Sequence, residues 1–284
     1  MKDDASSPAV PAPLQRVGAA MWRGGALTPS HRALPEETPV AMSYDRASFA
    51  VMMATPTDLE DFAVGFSLSE GIIATPDEIT RLELVALDQG VECRMALRAQ
   101  ARAALDERRR QFAGPVGCGL CGLEHLRQAL RPLPPVTAPL RLAAGEVAAM
   151  LAHMAPGQVL NRQTRAVHAA AFFQPGQAAP VLLREDVGRH NALDKLVGGL
   201  AGLGVRADTG AVLLTSRVSI ELIEKTARLG APVLIAISVP TALAVRAADQ
   251  AGITLIAVAR DDGFEIFTHP ERITQDESAR PRGI

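Results

Sequence analysis

The sequence predicts an α/β protein whose C-terminal half is a buried sheet with helices on its faces, preceded by a smaller α+β portion. Three observations carry this prediction. Short apolar runs alternate with amphipathic ones over most of the last 120 or so residues, the pattern of strands spaced by helices. The part before about residue 112 reads instead as two hairpins and two helices. Between them, Pro132, Pro134, Pro135 and Pro139 mark a linker, since proline interrupts both kinds of element. The expected organisation is therefore an arm over 1–35, an α+β part over 36–135, an α/β core over 136–272 and a flexible tail over 273–284.

Taken in order, residues 1–35 hold Pro8, Pro11, Pro13, Pro29 and Pro35 among Ala, Ser and Gly, a composition that favours a disordered or loosely attached arm. Val40 to Tyr44 and Ser48 to Ala54 then read as strands around an Asp45-Arg46 turn. Thr57 with Glu60 three residues on has the form of a capping box. Leu59, Phe62, Ala63 and Phe66 fall on one face of the helix that follows, and Gly71 closes it. Arg81 to Leu87 and Val91 to Leu97 form a second hairpin across Asp88-Gln89-Gly90. A helix over Ala99 to Phe112 ends on Arg108, Arg109 and Arg110, where cations suit the helix dipole. A short helix is expected from Leu123 to Leu130, and another from Ala144 to His153.

Val167 to Phe173 and Val181 to Arg184 read as a third hairpin across Pro175-Gly176-Gln177. Helix and strand then alternate: helix Ala192–Leu200, strand Ala211–Thr215, helix Val218–Leu229, strand Val233–Ile237, helix Ala242–Ala251, strand Thr254–Ala259, and a last strand from Phe264 to Thr268.

Bulk composition excludes several classes. At 48% hydrophobic residues the 284-residue chain can bury a large core. A net charge of −2 and 4% aromatics supply neither a basic field nor a base-stacking platform, so no nucleic-acid or membrane partner is expected. Three cysteines are too few for a secreted disulfide framework. The start, Met1-Lys2-Asp3-Asp4, lacks an apolar signal-peptide region, and the expected setting is the reducing cytoplasm.

Two of the three cysteines stand together in Gly117-Cys118-Gly119-Leu120-Cys121-Gly122. Glycine accepts positive φ without a Cβ penalty, so the loop is expected to be tight and open. A Cys-x-x-Cys pair can hold a metal, cycle a disulfide or carry sulfur. A structural zinc wants four ligands, commonly two such half-sites, and here only Cys93 and scattered histidines such as His125 remain. A thioredoxin-like pair opens a helix after a strand, whereas here a helix precedes it. A sulfur carrier needs an accessible thiolate with cations nearby, which Arg108 to Arg110 and Arg127 could supply. These alternatives, with an inert loop, stay open on residues alone.

Elsewhere, three strand ends carry polar groups: Thr215-Ser216-Arg217, Ser238-Val239-Pro240-Thr241 and Arg260-Asp261-Asp262-Gly263. Ligands of open α/β sheets bind beyond such ends, and helix N-termini beside an arginine suit an anion; the plainer role for Ser216 and Thr241 is helix capping. The run Arg184-Glu185-Asp186-Val187-Gly188-Arg189-His190-Asn191 is either a solvated loop, followed by surface helix charges at Asp194 and Lys195, or a set of donors and acceptors for a purine or pterin edge. His168 reads as a core or pocket histidine, and Cys93 as a small buried hydrophobe.

The glycine-flanked cysteine pair, followed some sixty residues later by Glu-Asp-Val-Gly-Arg-His-Asn-Ala-Leu-Asp-Lys, resembles the FdhD/NarQ family of formate dehydrogenase accessory sulfurtransferases. Ala54-Thr55-Pro56 through Gly71, Thr164 through Ala170, Thr215-Ser216-Arg217 and Pro240-Thr241 resemble further blocks of that family in the same order. The resemblance implies a homodimer with an α/β core similar to cytidine deaminases, without their His-x-Glu and Pro-Cys-x-x-Cys zinc signature. It implies that a cysteine desulfurase passes persulfide sulfur to Cys118, helped by Cys121. The sulfur would then go to the molybdenum bis(molybdopterin guanine dinucleotide) cofactor, bound as a substrate, for a formate dehydrogenase apoenzyme, with no tightly held metal in the carrier itself. The implied cofactor turn is Val258, Ala259, Arg260, Asp261, Asp262 and Gly263, and Arg217, Asp186, His190 and Asn191 are further pocket candidates. Many members of the family have glycine at the position of Ser216. A zinc-binding module and a passive cofactor chaperone are the alternatives.

Overall fold

In the computed structural model, residues 9–112, 133–177, 179–260 and 262–275 are described; Cys118, Cys121, Asp261 and the helix expected over Leu123–Leu130 lie outside them. The chain builds two main sheets. The first has strand order β4-β3-β6-β5, from β3 (Thr38–Tyr44), β4 (Ala47–Ala54), β5 (Ile79–Leu87) and β6 (Gly90–Leu97). Its hairpins form where the turn residues place them. Asp45 and Arg46 both take positive φ, 48° and 71°, the geometry that matches the twist of the flanking strands. Val40, Met42, Val91, Cys93 and Met95 pack inward against helices α1 (Leu59–Ser69) and α2 (Ala99–Phe112). The face of α1 predicted from spacing is the buried one: Phe62 and Ala63 are fully closed from solvent, Leu59 and Phe66 nearly so.

The start of α1 differs from expectation. The helix begins one residue after Asp58, which takes a left-handed φ of 50° and makes no side-chain cap, so the capping box at Thr57 does not form. Asp58 points its carboxylate at Arg184 instead, 3.4 Å away, and the amide of Thr57 bonds to the Thr55 carbonyl.

The second sheet has the order β13-β12-β11-β10-β8-β9, from β8 (His168–Phe173), β9 (Leu182–Asp186), β10 (Ala211–Leu214), β11 (Val233–Ala236), β12 (Thr254–Arg260) and β13 (Gly263–Ile266). The central three strands are parallel, and the flanking strands antiparallel. One face packs against α5 (Arg189–Gly202), α6 (Ile220–Leu229) and α7 (Ala242–Ala251) through Leu193, Leu196, Leu222, Ile223 and Ala248. The other packs against α3 (Ala144–Gly157) through Val147, Met150 and Met154, with a short α4 (Val159–Thr164) after it. Burial on both faces explains the nearly continuous apolar runs in β10 to β12. A short pair, β7 (Leu142–Ala143) with β14 (Ile273–Thr274), ties the C-terminal end of the described chain back to the linker.

Over 14–35 the arm expected to be disordered or loosely attached has regular structure. Within it, β1 (Leu14–Arg23) and β2 (Ala26–Pro35) form a hairpin. Gly24 and Gly25, at φ 59° and 86°, supply the two left-handed positions of its turn.

The two sheets are joined helix to helix, where α1 crosses α5 at two glycines. A Cβ on Gly65 would overlap the Asp194 carbonyl, and one on Gly198 would overlap the Asp61 carbonyl. Backbone thus meets backbone, and each position tolerates nothing larger than hydrogen. Gly65→Ala and Gly198→Ala should each lower stability by about 3 kcal/mol or more, the upper range for overpacking. Gly202→Ala, a position with open space around it, is the control and should leave the urea midpoint nearly unchanged.

Candidate functional site

The parallel run of β10, β11 and β12 opens three carboxyl ends on one edge of the six-stranded sheet. Because β8 is antiparallel to β10 and β9 to β8, the start of β8 and the end of β9 share that edge. Thus His168, Asp186, His190, Arg217 and Val258 to Arg260 are brought to one side of the sheet. They are spread along it, with β9 and β12 about 19 Å apart at four strand spacings.

The polar run after Leu183 is tied to the protein at each charged step. Arg184 donates to the Asp61 carboxylate from Nε and Nη2, at 2.8 and 2.7 Å, holding β9 to α1. Glu185 accepts the free amides of Leu160 and Asn161 at 2.7 and 2.8 Å, capping the start of α4. Asp186 is closed from solvent and pairs with the equally buried Lys195 at 2.6 Å. It also accepts from the Thr55 and Gly188 amides, at 3.0 and 2.7 Å, and from Asn191 Nδ2 at 3.0 Å. Lys195 gives a further bond to the Thr55 carbonyl at 2.8 Å, and Asn191 one to the Met53 carbonyl, also at 2.8 Å. Burial pushes the Lys195 ammonium below its usual range, opposed by the Asp186 carboxylate.

These contacts correct two expectations. Asp186 and Asn191, 0% and 3% exposed, commit the Asp186 carboxylate and the Asn191 Nδ2 to partners within the protein. Asp194 and Lys195 are not surface charges. Asp194 is buried and held by Lys225 Nζ at 2.8 and 2.9 Å; burial raises its carboxyl pKa, opposed by that ammonium. Lys195 and Lys225 also lie 5.9 Å from the ring centres of Phe62 and Phe66, within cation–π range.

The groups left facing the edge are different ones. His190 sits half-buried in the first turn of α5. Burial and the neighbouring Arg189 and Lys225 hold its imidazole below the usual range. His168 is held down by burial and by Arg189, so both rings are neutral at neutral pH. It stands at the start of β8, at the rim rather than in the core. Arg189 stands in the polar run but was not singled out as a pocket candidate; its Nε is buried with no hydrogen-bond partner, one of four such side-chain atoms among the described residues. Arg217 and Arg260 are exposed. Ser216 is 4% exposed and donates to the Arg217 carbonyl at 3.0 Å, while Thr241 caps α7 by accepting from the Ala244 amide at 3.1 Å.

At the end of β12 the backbone itself is unusual. Val258 has a φ of 52°, a region that β-branched residues seldom enter, and the pairing with β13 shifts register between Ala257 and Arg260. Ala259 is buried, while Arg260, Asp262 and Gly263 are exposed. Strain of this kind persists where the surroundings over-determine it and collects at functional positions.

Among the described residues no group of three or more His, Cys, Asp or Glu is placed to hold a metal ion, and no helix is long and apolar enough to cross a membrane. Cys93 lies in the first core, fully buried. Burial, then the nearby Glu92 and Glu60, push its thiol up to about 12.

Comparison with known proteins places these features in a wider set. A family model described as FdhD/NarQ matches residues 35–274. A sulfur carrier protein FdhD of Agrobacterium fabrum is 50% identical over 265 residues, covering 93% of this chain and 97% of that one. One of Brucella abortus is 51% identical over 247 residues, covering 87% and 91%. Among solved structures, a protein described as a formate dehydrogenase accessory protein from Desulfotalea psychrophila superposes with a TM-score of 0.72. It shares 25% identity, and the match covers 93% of this chain and all of that one.

Two outcomes follow for the edge. Asp186→Ala strands a buried ammonium and should cost about 3–5 kcal/mol in chemical denaturation. Lys195→Met should cost less, because Asp186 keeps three N–H donors. Val258→Gly removes strain worth about 1–3 kcal/mol against a flexibility cost of about 0.5–1 kcal/mol. Its urea midpoint should therefore match or exceed that of the parent, whereas Val212→Gly in the buried strand β10 should lower it strongly.

Proposed function

Because the chain belongs to the FdhD/NarQ family, we propose that it is a sulfur carrier that serves a formate dehydrogenase, working through Cys118 and Cys121. The observation that carries this reading is the division among its three cysteines. Cys93 is sealed in a core with its thiol pushed up to about 12, which disfavours the thiolate, the form that reacts. Sulfur chemistry therefore falls to the pair two residues apart, flanked by glycines and with Arg108 to Arg110 close in sequence.

The chemistry proposed is thiol exchange. The Cys118 thiolate attacks the outer sulfur of a persulfide on a cysteine desulfurase and displaces that enzyme's cysteine thiolate; one S–S bond forms, one breaks, and no net oxidation occurs. Attack by the Cys121 thiolate on the inner sulfur of the Cys118 persulfide then forms a Cys118–Cys121 disulfide and frees hydrosulfide. The dithiol supplies the two electrons, and an external thiol reductant restores it.

The recipient in this reading is the molybdenum bis(guanine dinucleotide) cofactor, held as a substrate along the strand edge. Exposed Arg217 and Arg260, the unpartnered Nε of Arg189, neutral His190 and the strained turn at Val258 support that placement, with Ala259, Asp262 and Gly263 completing the turn. Asp186 and Asn191 take part by positioning the first turn of α5. In its finer architecture the core is proposed to be of the cytidine deaminase kind, without the deaminase zinc signature. The protein is proposed to act as a homodimer in the cytoplasm.

The test is intact-mass spectrometry after incubation with a cysteine desulfurase and cysteine. Cys121→Ala, which keeps the persulfide because it lacks the attacking thiolate, and Cys121→Ala combined with Cys93→Ala should each gain one reducible sulfur, and Cys118→Ala should gain none. Loading that survives Cys118→Ala but is lost in Cys93→Ala would sink the assignment.

A further inference from the structure

The arm built by β1 and β2 is an exposed ribbon with an apolar tip on one face. In the pairing register Leu14, Arg16, Gly18, Ala20 and Trp22 stand opposite Pro35, Ala33, His31, Pro29 and Leu27; directly opposed residues share a face, so this face carries Arg16 and His31 toward its base and is apolar from Ala20 and Pro29 to the tip. That face ends at a cross-strand pair of large side chains near the turn, Trp22 at 64% and Leu27 at 73% exposure. Nine of the ten residues of β1 are exposed. Within the chain the arm touches α4 through β2 and is held at its base by Glu36, whose amide donates to the Pro13 carbonyl at 2.9 Å and whose carboxylate accepts from Gln15.

A two-stranded ribbon with both faces in water is marginal on its own, and contiguous exposed apolar surface of this kind marks an interaction site. A segment that needs cover to keep its shape needs it lastingly, which a second copy of the same chain provides and a passing client does not. Charge points the same way. Residues 14–35 carry Arg16, Arg23 and Arg32 and no carboxylate, so against −2 for the whole chain the remainder stands at −5. Two arms would repel each other, whereas an arm laid on the acidic body of a second copy is complementary.

We propose that the β1–β2 arm is a clasp, whose Trp22–Leu27 face packs on the body of a second copy of this chain. The inference rests on the homodimer of the proposed function and assigns the segment that closes it. It predicts that removing apolar character at the arm tip loosens the dimer without unfolding the protein, since Leu27 touches little within its own chain.

Trp22 is the sole tryptophan of the chain and reports its own cover. The experiment is sedimentation velocity of the full-length chain over a dilution series, with tryptophan emission read on the same samples, for wild type and Leu27→Asp. The clasp predicts a dimer with blue-shifted emission that moves to the red as dilution dissociates it. Leu27→Asp, with unchanged circular dichroism, should self-associate about tenfold more weakly or worse and emit further to the red. A wild-type dimer whose emission stays that of a solvent-exposed indole at every concentration overturns the clasp and leaves the dimer standing. A monomer at every concentration overturns both. A blue shift that appears solely on adding formate dehydrogenase apoenzyme reassigns the arm to that client and also overturns the proposal.

Discussion

Between Asp186 and Lys195 runs a salt bridge with both partners closed from water, and the arrangement of both sheets follows from how its charges are satisfied. Such a pair gains little unless every remaining donor and acceptor is used. Here the users are Thr55, which offers an amide and a carbonyl from the end of β4, and Gly188 and Asn191 from the start of α5. Satisfying the pair therefore requires the first sheet to lie against the second. The glycine crossing of α1 and α5 lets the backbones come that close, and Asp194 with Lys225 repeats the device one helix further along. The edge where β9, β10, β11 and β12 end inherits its geometry from this clamp.

Much of the fold was legible because it follows from local rules. Composition placed α2, and the alternation of apolar strands with amphipathic helices placed α7, each with its observed ends, and Asp45-Arg46 placed the first internal hairpin. What escaped depended on contacts far apart in sequence. The arm reads as disordered from its prolines, yet Gly24-Gly25 is a hairpin turn of the preferred kind, and that dipeptide was the available signal. Thr57 has the form of a cap, but the helix starts after Asp58 in the left-handed region, with its carboxylate beside Arg184, more than a hundred residues away.

The charged run from Arg184 to Asn191 shows the same limit at the candidate site. Its density correctly marks a place where polar atoms are used; the sequence does not say by what. Arg184, Glu185 and Asp186 each serve a different neighbouring element. Lys195 carries a signal in hindsight, four residues after Asn191 on a helix that buries Leu193, Leu196, Val197 and Leu200 around it, because a lysine there must find a buried partner. The cysteine pair is the opposite case. Type and spacing mark it out as a chemical site but leave metal, redox and sulfur-carrier readings open, and what bears on the proposal from outside is that Cys93, the third cysteine, is sealed in a core. Val258 was placed in the cofactor turn by resemblance, and its strained φ is an independent physical reason to attend to that turn.

Native-state amide hydrogen exchange tests the clamp most directly. If Asp186 and Lys195 lock the two sheets into one body, the amides of Thr55, Val187 and Gly188, which bond to Asp186 or to Thr55 Oγ1, should open only with the buried strands β10 to β12 and share their exchange free energy. If the Thr55 and Gly188 amides exchange at a clearly lower free energy while β10 to β12 stay protected, the sheets separate without global unfolding and the clamp is not what holds them.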